Sequence, residues 1–323
     1  MTDNGLDLRV RQLTYESDGV LSVRLVGVNG GALPAWDPGA HIDLRLREGL
    51  VRQYSLCGPV GDRSQYEVAV LRESAGRGGS RYVHESLRPG CRVGVGGPRN
   101  TFVLEPATGY LFVAGGIGIT PFLPMLEQAE RERRPWRLLY GGRTRRGMAF
   151  LDRLARYRDQ VRVVPQDECG LLDLEQAVAE LPALGDGALV YGCGPEPLLA
   201  ALEQCCAPLG EDVLRVERFA APEADPSQAI RDAAAGEFVV ELARSKQTLV
   251  VAPGTSVLER LAQHGIDVPS DCQEGICGSC QVGVLAGEPD HRDHVLTTRQ
   301  RRAGDTIMIC VSRCRGNRLV LDL

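Results

Sequence analysis

Three cysteines fall within nine positions in the stretch DCQEGICGSC, residues 271–280, and this crowding limits the chain more than any other feature. Cys272, Cys277 and Cys280 form the pattern C-x4-C-x2-C, and 29 residues separate Cys280 from Cys310. That is the plant-type spacing for a [2Fe–2S] cluster. Four thiolates must converge on two irons, and a short loop must wrap them without side-chain obstruction. Gly275 and Gly278 permit the backbone angles this needs. A structural zinc site is the alternative, but such sites usually pair two C-x2-C knuckles and only one is present. Cys314 competes with Cys310 as fourth ligand. Cys310 lies in TIMICVS, an apolar alternation that reads as a strand, whereas Cys314 lies in the turn RCRGN. Cys310 is therefore the expected ligand.

The surroundings read as a small β-grasp ferredoxin domain over residues 237–323. EFVVELARS and QTLVVAP alternate as a hairpin pair, and CQVGVLAG, TIMICVS and RLVLDL supply later strands. SVLERLAQHG reads as a helix, with Ser256 and Glu259 as a capping box and Gly265 as its stop. An iron–sulfur cluster carries one electron at a time, so the preceding residues are expected to hold its donor.

The other seven of the eleven cysteines lack ligand spacing, and each reads as a small buried hydrophobe. An odd count without an export signal argues against a disulfide framework. The formal charge of −5 across 323 residues argues against a nucleic-acid partner. No apolar run approaches the roughly 20 residues needed to cross a membrane. A cytoplasmic monomer is expected.

Residues 1–106 contain short alternating runs punctuated by Gly and Pro, as in a small antiparallel β-barrel. In RQYSL, Arg52 to Leu56, an arginine, an aromatic and a hydroxyl share one strand. Arg52 suits a phosphate, Tyr54 the side of an isoalloxazine, and Ser55 the flavin's N5 edge. A strand with this composition also arises by chance. In GRGGS, Gly76 to Ser80, glycines open the helical stretch RYVHESL, and Gly78, Gly79 and Ser80 would present N–H groups to an anion. An ordinary hairpin loop is the other reading.

Residues 107–219 alternate buried-strand and helix patterns, which implies an α/β parallel-sheet nucleotide domain. GGIGITP, Gly115 to Pro121, follows its first strand. It departs from G-x-G-x-x-G, yet glycines at a strand end with Pro121 at a helix N1 position would seat a pyrophosphate. YGCGPEPLL follows a later strand, which would set Cys193, Gly194 and Pro195 beside a nicotinamide. A buried core thiol is the other reading of Cys193. Residues 220–236, rich in Ala, Pro and acids, read as a semi-flexible tether.

Taken in this order, RQYSL, GRGGS, GGIGITP, YGCGPEP and the C-terminal cysteine cluster resemble the phthalate dioxygenase reductase family, across essentially the whole chain. DHRDHVL and MICVSR also look like that family's C-terminal domain; by themselves His291 and His294 read as a polar loop. The resemblance implies FMN rather than FAD, NADH as donor, and a terminal oxygenase partner, either a Rieske oxygenase or a haem-thiolate monooxygenase. It implies that Arg52, Tyr54, Ser55, Leu56, Gly78, Gly79, Ser80 and Thr120 line the FMN site. Gly115, Gly116, Gly118, Pro121, Cys193, Gly194 and Pro195 would follow the nicotinamide nucleotide. Phe219 would cover the flavin ring, although a core aromatic is its plain reading. Ser55, Cys193 and Phe219 would then surround the hydride transfer.

One departure concerns the donor. The loop GGRTRRGMAF holds Arg143, Arg145 and Arg146 where an acid would favour NADH. A solvated charged loop is the common meaning, and a 2′-phosphate site, hence NADPH, the alternative. Two other functions compete with an oxygenase reductase. One is an electron-transfer subunit of another dehydrogenase, which the long gap before Cys310 disfavours. The other is a non-catalytic redox sensor, which the paired flavin and nucleotide motifs disfavour.

Overall fold

Strict alternation of apolar residues in the first hundred positions demands a sheet with one buried face, and the computed structural model has it. It describes residues 5–47, 49–74, 76–222 and 236–323. The chain divides into two compact units, Met1–Glu217 and Arg218–Leu323. The expected tether at 220–236 falls largely on 223–235, outside the described residues.

In the first unit, β1 (Leu6–Ser17), β2 (Val20–Gly27), β3 (Ala40–Arg47), β4 (Leu50–Ser55), β5 (Gln65–Leu71) and β6 (Arg92–Asn100) form one sheet. Their order is β4-β3-β6-β1-β2-β5, antiparallel throughout. The edge strands β4 and β5 share no ladder and only an isolated bridge, Leu56 to Val68, lies between them, so the sheet curls into a barrel left open on that side. Leu8, Val23, Leu25, Ile42 and Leu44 fill its interior. The helix Gly79–Glu85 buries Val83 against the same core.

The same unit continues into a parallel sheet of β7 (Tyr110–Gly115), β8 (Trp136–Gly142), β9 (Val161–Pro165), β10 (Leu189–Cys193) and β11 (Leu214–Glu217), ordered β11-β10-β7-β8-β9. Every residue of β7 is buried, as expected for a strand covered on both faces. Its alternate side chains enter two cores. Tyr110 and Phe112 join Phe122, Trp136 and Tyr191 on one side. Leu111 and Val113 join Leu139 and Val190 on the other. Aromatic residues are 5% of the chain, and they concentrate here, with the Phe112 and Phe122 rings 5.3 Å apart.

The second unit holds β12 (Phe238–Leu242), β13 (Thr248–Val251), β14 (Gln281–Ala286), β15 (Pro289–Asp290), β16 (Thr306–Met308), β17 (Arg313–Cys314) and β18 (Arg318–Leu321). Five form a mixed sheet, β13-β12-β18-β14-β16, and β15 pairs with β17. The helix Val257–Gln263 lays Val257, Leu258 and Leu261 on this sheet. Its capping box is complete: Glu259 N–H donates to Ser256 Oγ at 3.1 Å, and Ser256 N–H to the Glu259 carboxylate at 2.9 Å.

Four expectations need correction. Cys310 lies in the turn after β16, because the strand ends at Met308. Cys314 sits in the short strand β17, where pairing with Pro289 straightens the supposed turn. Cys91 and Cys169 are exposed rather than buried. Pro121 stands one residue earlier than expected, at the N-cap of helix Phe122–Arg131, because a 3-10 turn at Gly116–Ile119 intervenes.

Candidate functional site

β4 is an edge strand whose middle residues, Val51 to Tyr54, are half-buried. The stem of Arg52 lies on Gly79, where a Cβ would come within 2.4 Å of Arg52 Cγ. Arg52 Nη2 donates to the Arg77 carbonyl at 2.8 Å, and Gly78, at φ +85°, turns the chain into the helix. RQYSL and GRGGS, 25 residues apart, therefore meet. A guanidinium beside the start of a helix suits a phosphate. Ser80 Oγ accepts from Glu73 N–H at 3.0 Å and closes the loop. Burial pushes the Tyr54 phenol up to about 12, against the pull of Arg52. These residues fit the phosphate end of FMN. Leu56 does not line the site: it is 0% exposed within the barrel core, and its N–H donates to Ala40.

The two glycine turns of the parallel sheet pack backbone against backbone. A Cβ on Gly118 would lie 2.3 Å from the Cys193 carbonyl oxygen, and one on Gly194 would lie 2.9 Å from Gly115 Cα. A Cβ on Gly115 would strike Pro195 at 2.7 Å. Gly116 takes φ +55°. The Thr120 hydroxyl donates to the Ile117 carbonyl at 3.0 Å, within the 3-10 turn. Both turns open at the carboxyl ends of adjacent strands β7 and β10, where such sheets bind nucleotides.

Between these regions stands a residue that sequence reasoning passed over. Ser55 Oγ donates to Glu217 Oε2 at 3.4 Å, and Cys193 Sγ lies 4.0 Å from the same oxygen. Register explains the second contact, since Cys193 and Glu217 are partners in parallel β10 and β11. Loss of solvent pushes the Glu217 carboxyl up to about 8, although the Ser55 hydrogen bond pulls it down. Burial, and then the charge of Glu217, push the Cys193 thiol up. The signal was available two residues before Phe219, in ERF, but one acid in a strand gives no hint of its partners. Phe219 itself is 43% exposed, beyond the end of β11.

In the second unit, the four spaced cysteines interact as two pairs. Cys277 is held down to about 4, first by a hydrogen bond from Cys272, whose own thiol is raised. Cys280 is lowered and Cys310 raised in the same way. The two pairs suit a cluster of two irons, each held by two thiolates. Backbone N–H groups of Glu274 and Ser279 point at Cys272 Sγ (3.3 Å) and Cys277 Sγ (3.4 Å). Gly275 and Gly278 take φ +70° and +73°, the freedom expected of them. A Cβ on Gly275 would meet Asp293 Cα at 3.0 Å. Behind it, the buried Asp293 carboxylate accepts from the N–H of Leu296 at 2.8 Å and pairs with Arg301 at 3.5 Å. His294 N–H donates to the Gly275 carbonyl at 2.8 Å. His291 is thus no solvated loop residue; its side chain is buried, and burial lowers its pKa. The thiols and their loop fit a [2Fe–2S] cluster.

Comparison with known proteins agrees with this geometry. Residues 240–315 match the 2Fe-2S iron-sulfur cluster binding domain family, and 112–204 the oxidoreductase NAD-binding domain family. The chain is 44% identical over 320 residues to the phenoxybenzoate dioxygenase subunit beta of Ectopseudomonas oleovorans, covering 98% of this chain and 97% of that one. It superposes on phthalate dioxygenase reductase with a TM-score of 0.70 and 34% identity, covering 99% and 98%. It also superposes on an intact type IV self-sufficient cytochrome P450 monooxygenase with a TM-score of 0.92 and 44% identity. There it covers 99% of this chain but only 41% of the other. The chain belongs to the phthalate dioxygenase reductase family. It is an iron–sulfur flavoprotein oxidoreductase that carries electrons from NADH through FMN to a [2Fe–2S] cluster, as the reductase component of an oxygenase system. No helix among the described residues is long and apolar enough to cross a membrane.

Proposed function

We propose that residues 1–106 bind FMN, 107–219 bind the nicotinamide nucleotide and 237–323 hold the cluster, with 220–236 between them. The observation that carries this reading is the shared carboxyl of Glu217. Ser55, expected at the flavin's reactive edge, and Cys193, expected at the nicotinamide, both reach it. Bound FMN supplies acceptance of two electrons together and their release singly. Arg52, Gly78, Gly79 and Ser80 hold its phosphate, Tyr54 and Thr120 flank it, and Phe219 covers its ring. The Ser55 hydroxyl has its orientation fixed by Glu217. Gly115, Gly116 and Gly118 leave room for a pyrophosphate, and Pro121, Gly194 and Pro195 fix the turns around it. Cys272, Cys277, Cys280 and Cys310 ligate the irons.

The terminal partner is a Rieske oxygenase or a haem-thiolate monooxygenase. The dioxygenase subunit and the self-sufficient P450 support the two equally, each at 44% identity. The protein acts as a cytoplasmic monomer. The test is anaerobic NADH titration of the purified protein, followed by mixing with each type of oxygenase. Flavin and cluster bands that bleach together, and electrons delivered to one partner class, are expected. A cluster band indifferent to NADH overturns the reading. Gel filtration of the same sample at a size other than 35.0 kDa overturns the monomer.

A further inference from the structure

The loop after β8 contains Arg143, Arg145 and Arg146 and no acid, a composition that suits a 2′-phosphate. The fold supplies the missing acid from elsewhere. β8 and β9 are parallel neighbours, paired to their last residues at Gly142 and Pro165. The loops that follow them leave the sheet side by side, at the carboxyl edge where the glycine turns open. Asp167 N–H donates to the Arg143 carbonyl at 3.2 Å and ties the two loops together. Arg145 then grips Glu168, in the turn Gln166–Cys169. Its Nε reaches both carboxylate oxygens, at 3.0 and 3.2 Å, and its Nη2 reaches one at 2.6 Å. The hydrogen bond lowers the Glu168 pKa and raises that of Arg145, so the pair stays charged.

We propose that Glu168 is a specificity-determining residue: it withholds Arg145 from the 2′-phosphate of NADPH and so makes the site select NADH. The inference rests on the reading of the glycine turns as the nucleotide site. A phosphate monoester carries about −1.5 to −2 charges at neutral pH and needs an open guanidinium fork. At Arg145 two donor positions of the fork are taken, and a phosphate there also meets the Glu168 charge. A ribose 2′-hydroxyl is neutral and donates to a carboxylate oxygen without displacing Arg145. Arg145 is in this view a positioning residue, which keeps Glu168 ionised and aimed.

The experiment measures kcat/KM for NADH and NADPH with the full-length holoprotein and with its Glu168→Gln and Glu168→Gln/Arg145→Gln variants. The wild type is expected to prefer NADH. Glu168→Gln is expected to raise kcat/KM for NADPH about tenfold or more, as a freed charge-assisted fork would. The double variant is expected to lose that gain. Calorimetry with 2′,5′-ADP should rank the three proteins in the same order, with a gain that shrinks as salt rises. Glu168→Ala, on the same exposed turn, carries the same expectation should the Gln variant not fold. A donor ratio unmoved by Glu168→Gln, a gain that survives loss of Arg145, or a wild type that prefers NADPH overturns the proposal. If neither donor reduces the wild type, the nucleotide site itself is misread; if NADH works and the ratio stays fixed, only the role of Glu168 fails.

Discussion

The Ser55 hydroxyl donates to the Glu217 carboxyl at 3.4 Å, across 162 residues, and joins the barrel's edge strand to the last strand of the parallel sheet. Desolvation raises that carboxyl from 4.5 to about 8, so it is mostly protonated at neutral pH. The linkage sign follows. A carboxyl whose folded pKa lies above its unfolded one favours the fold at low pH, and that contribution is lost as pH rises through the folded value. The melting temperature should therefore fall between about pH 4.5 and pH 8, and Glu217→Gln should flatten the slope. Differential scanning fluorimetry across that range decides it: equal slopes would mean Glu217 is already ionised.

Much of this was legible in the sequence, and what was not has physical causes. The cysteine spacing, the capping box at Ser256 and the strand alternation are local patterns, and local patterns survive folding. β6 is hard to read in the sequence because RVGVGGPRN holds three glycines and a proline, yet it pairs with both β1 and β3. Glu217, Glu168 and Asp293 were passed over for another reason. Each is one of 42 acidic residues, and each acquires its meaning from a partner on another element. Leu56 was misassigned because a motif names residues without their surroundings, and Leu56 falls in the barrel core.

Gly118 has no room for a side chain. The Cys193 carbonyl carbon and oxygen and the Gly194 nitrogen all lie within 2.8 Å of where its Cβ would be, and all are backbone atoms. Gly118→Ala should drive the two turns apart and cost about 2 kcal/mol or more of stability. Urea denaturation should show it, together with a raised KM for NADH. Gly61→Ala, in the loop between β4 and β5, with nothing within 4 Å and no positive φ, controls for the loss of a glycine alone. Equal losses in the two variants would argue against contact between the glycine turns.

Arg52 spans the gap between its strand and the glycine loop, so its loss should act on flavin retention before stability. Arg52→Ala should raise the FMN dissociation constant about tenfold to a hundredfold, the range of a lost charged hydrogen bond. Fluorescence of flavin released during gel filtration reports it directly. Gly79→Ala should act in the same direction, because its Cβ would displace the Arg52 stem from 2.4 Å. Flavin retained fully by both variants would place the phosphate elsewhere.

Cys310 and Cys314 are separated by only three residues, but the fold gives them different surroundings. Cys310 is paired with Cys280, and the raised pKa of one thiol mirrors the lowered pKa of the other. Cys314 sits in β17, and its Sγ donates to the Arg318 carbonyl at 3.5 Å. A strand residue held in that way is not free to approach Cys280. Cys310→Ser should therefore abolish or strongly alter the reduced cluster's paramagnetic resonance signal, since a plant-type cluster is held by four cysteine thiolates. Cys314→Ser should leave that signal unchanged and cost about 1 kcal/mol of stability, the usual loss for a modest side-chain change. A signal that survives in the first variant and disappears in the second would exchange their roles. It would also require β17 to unpair from β15 whenever the cluster is assembled.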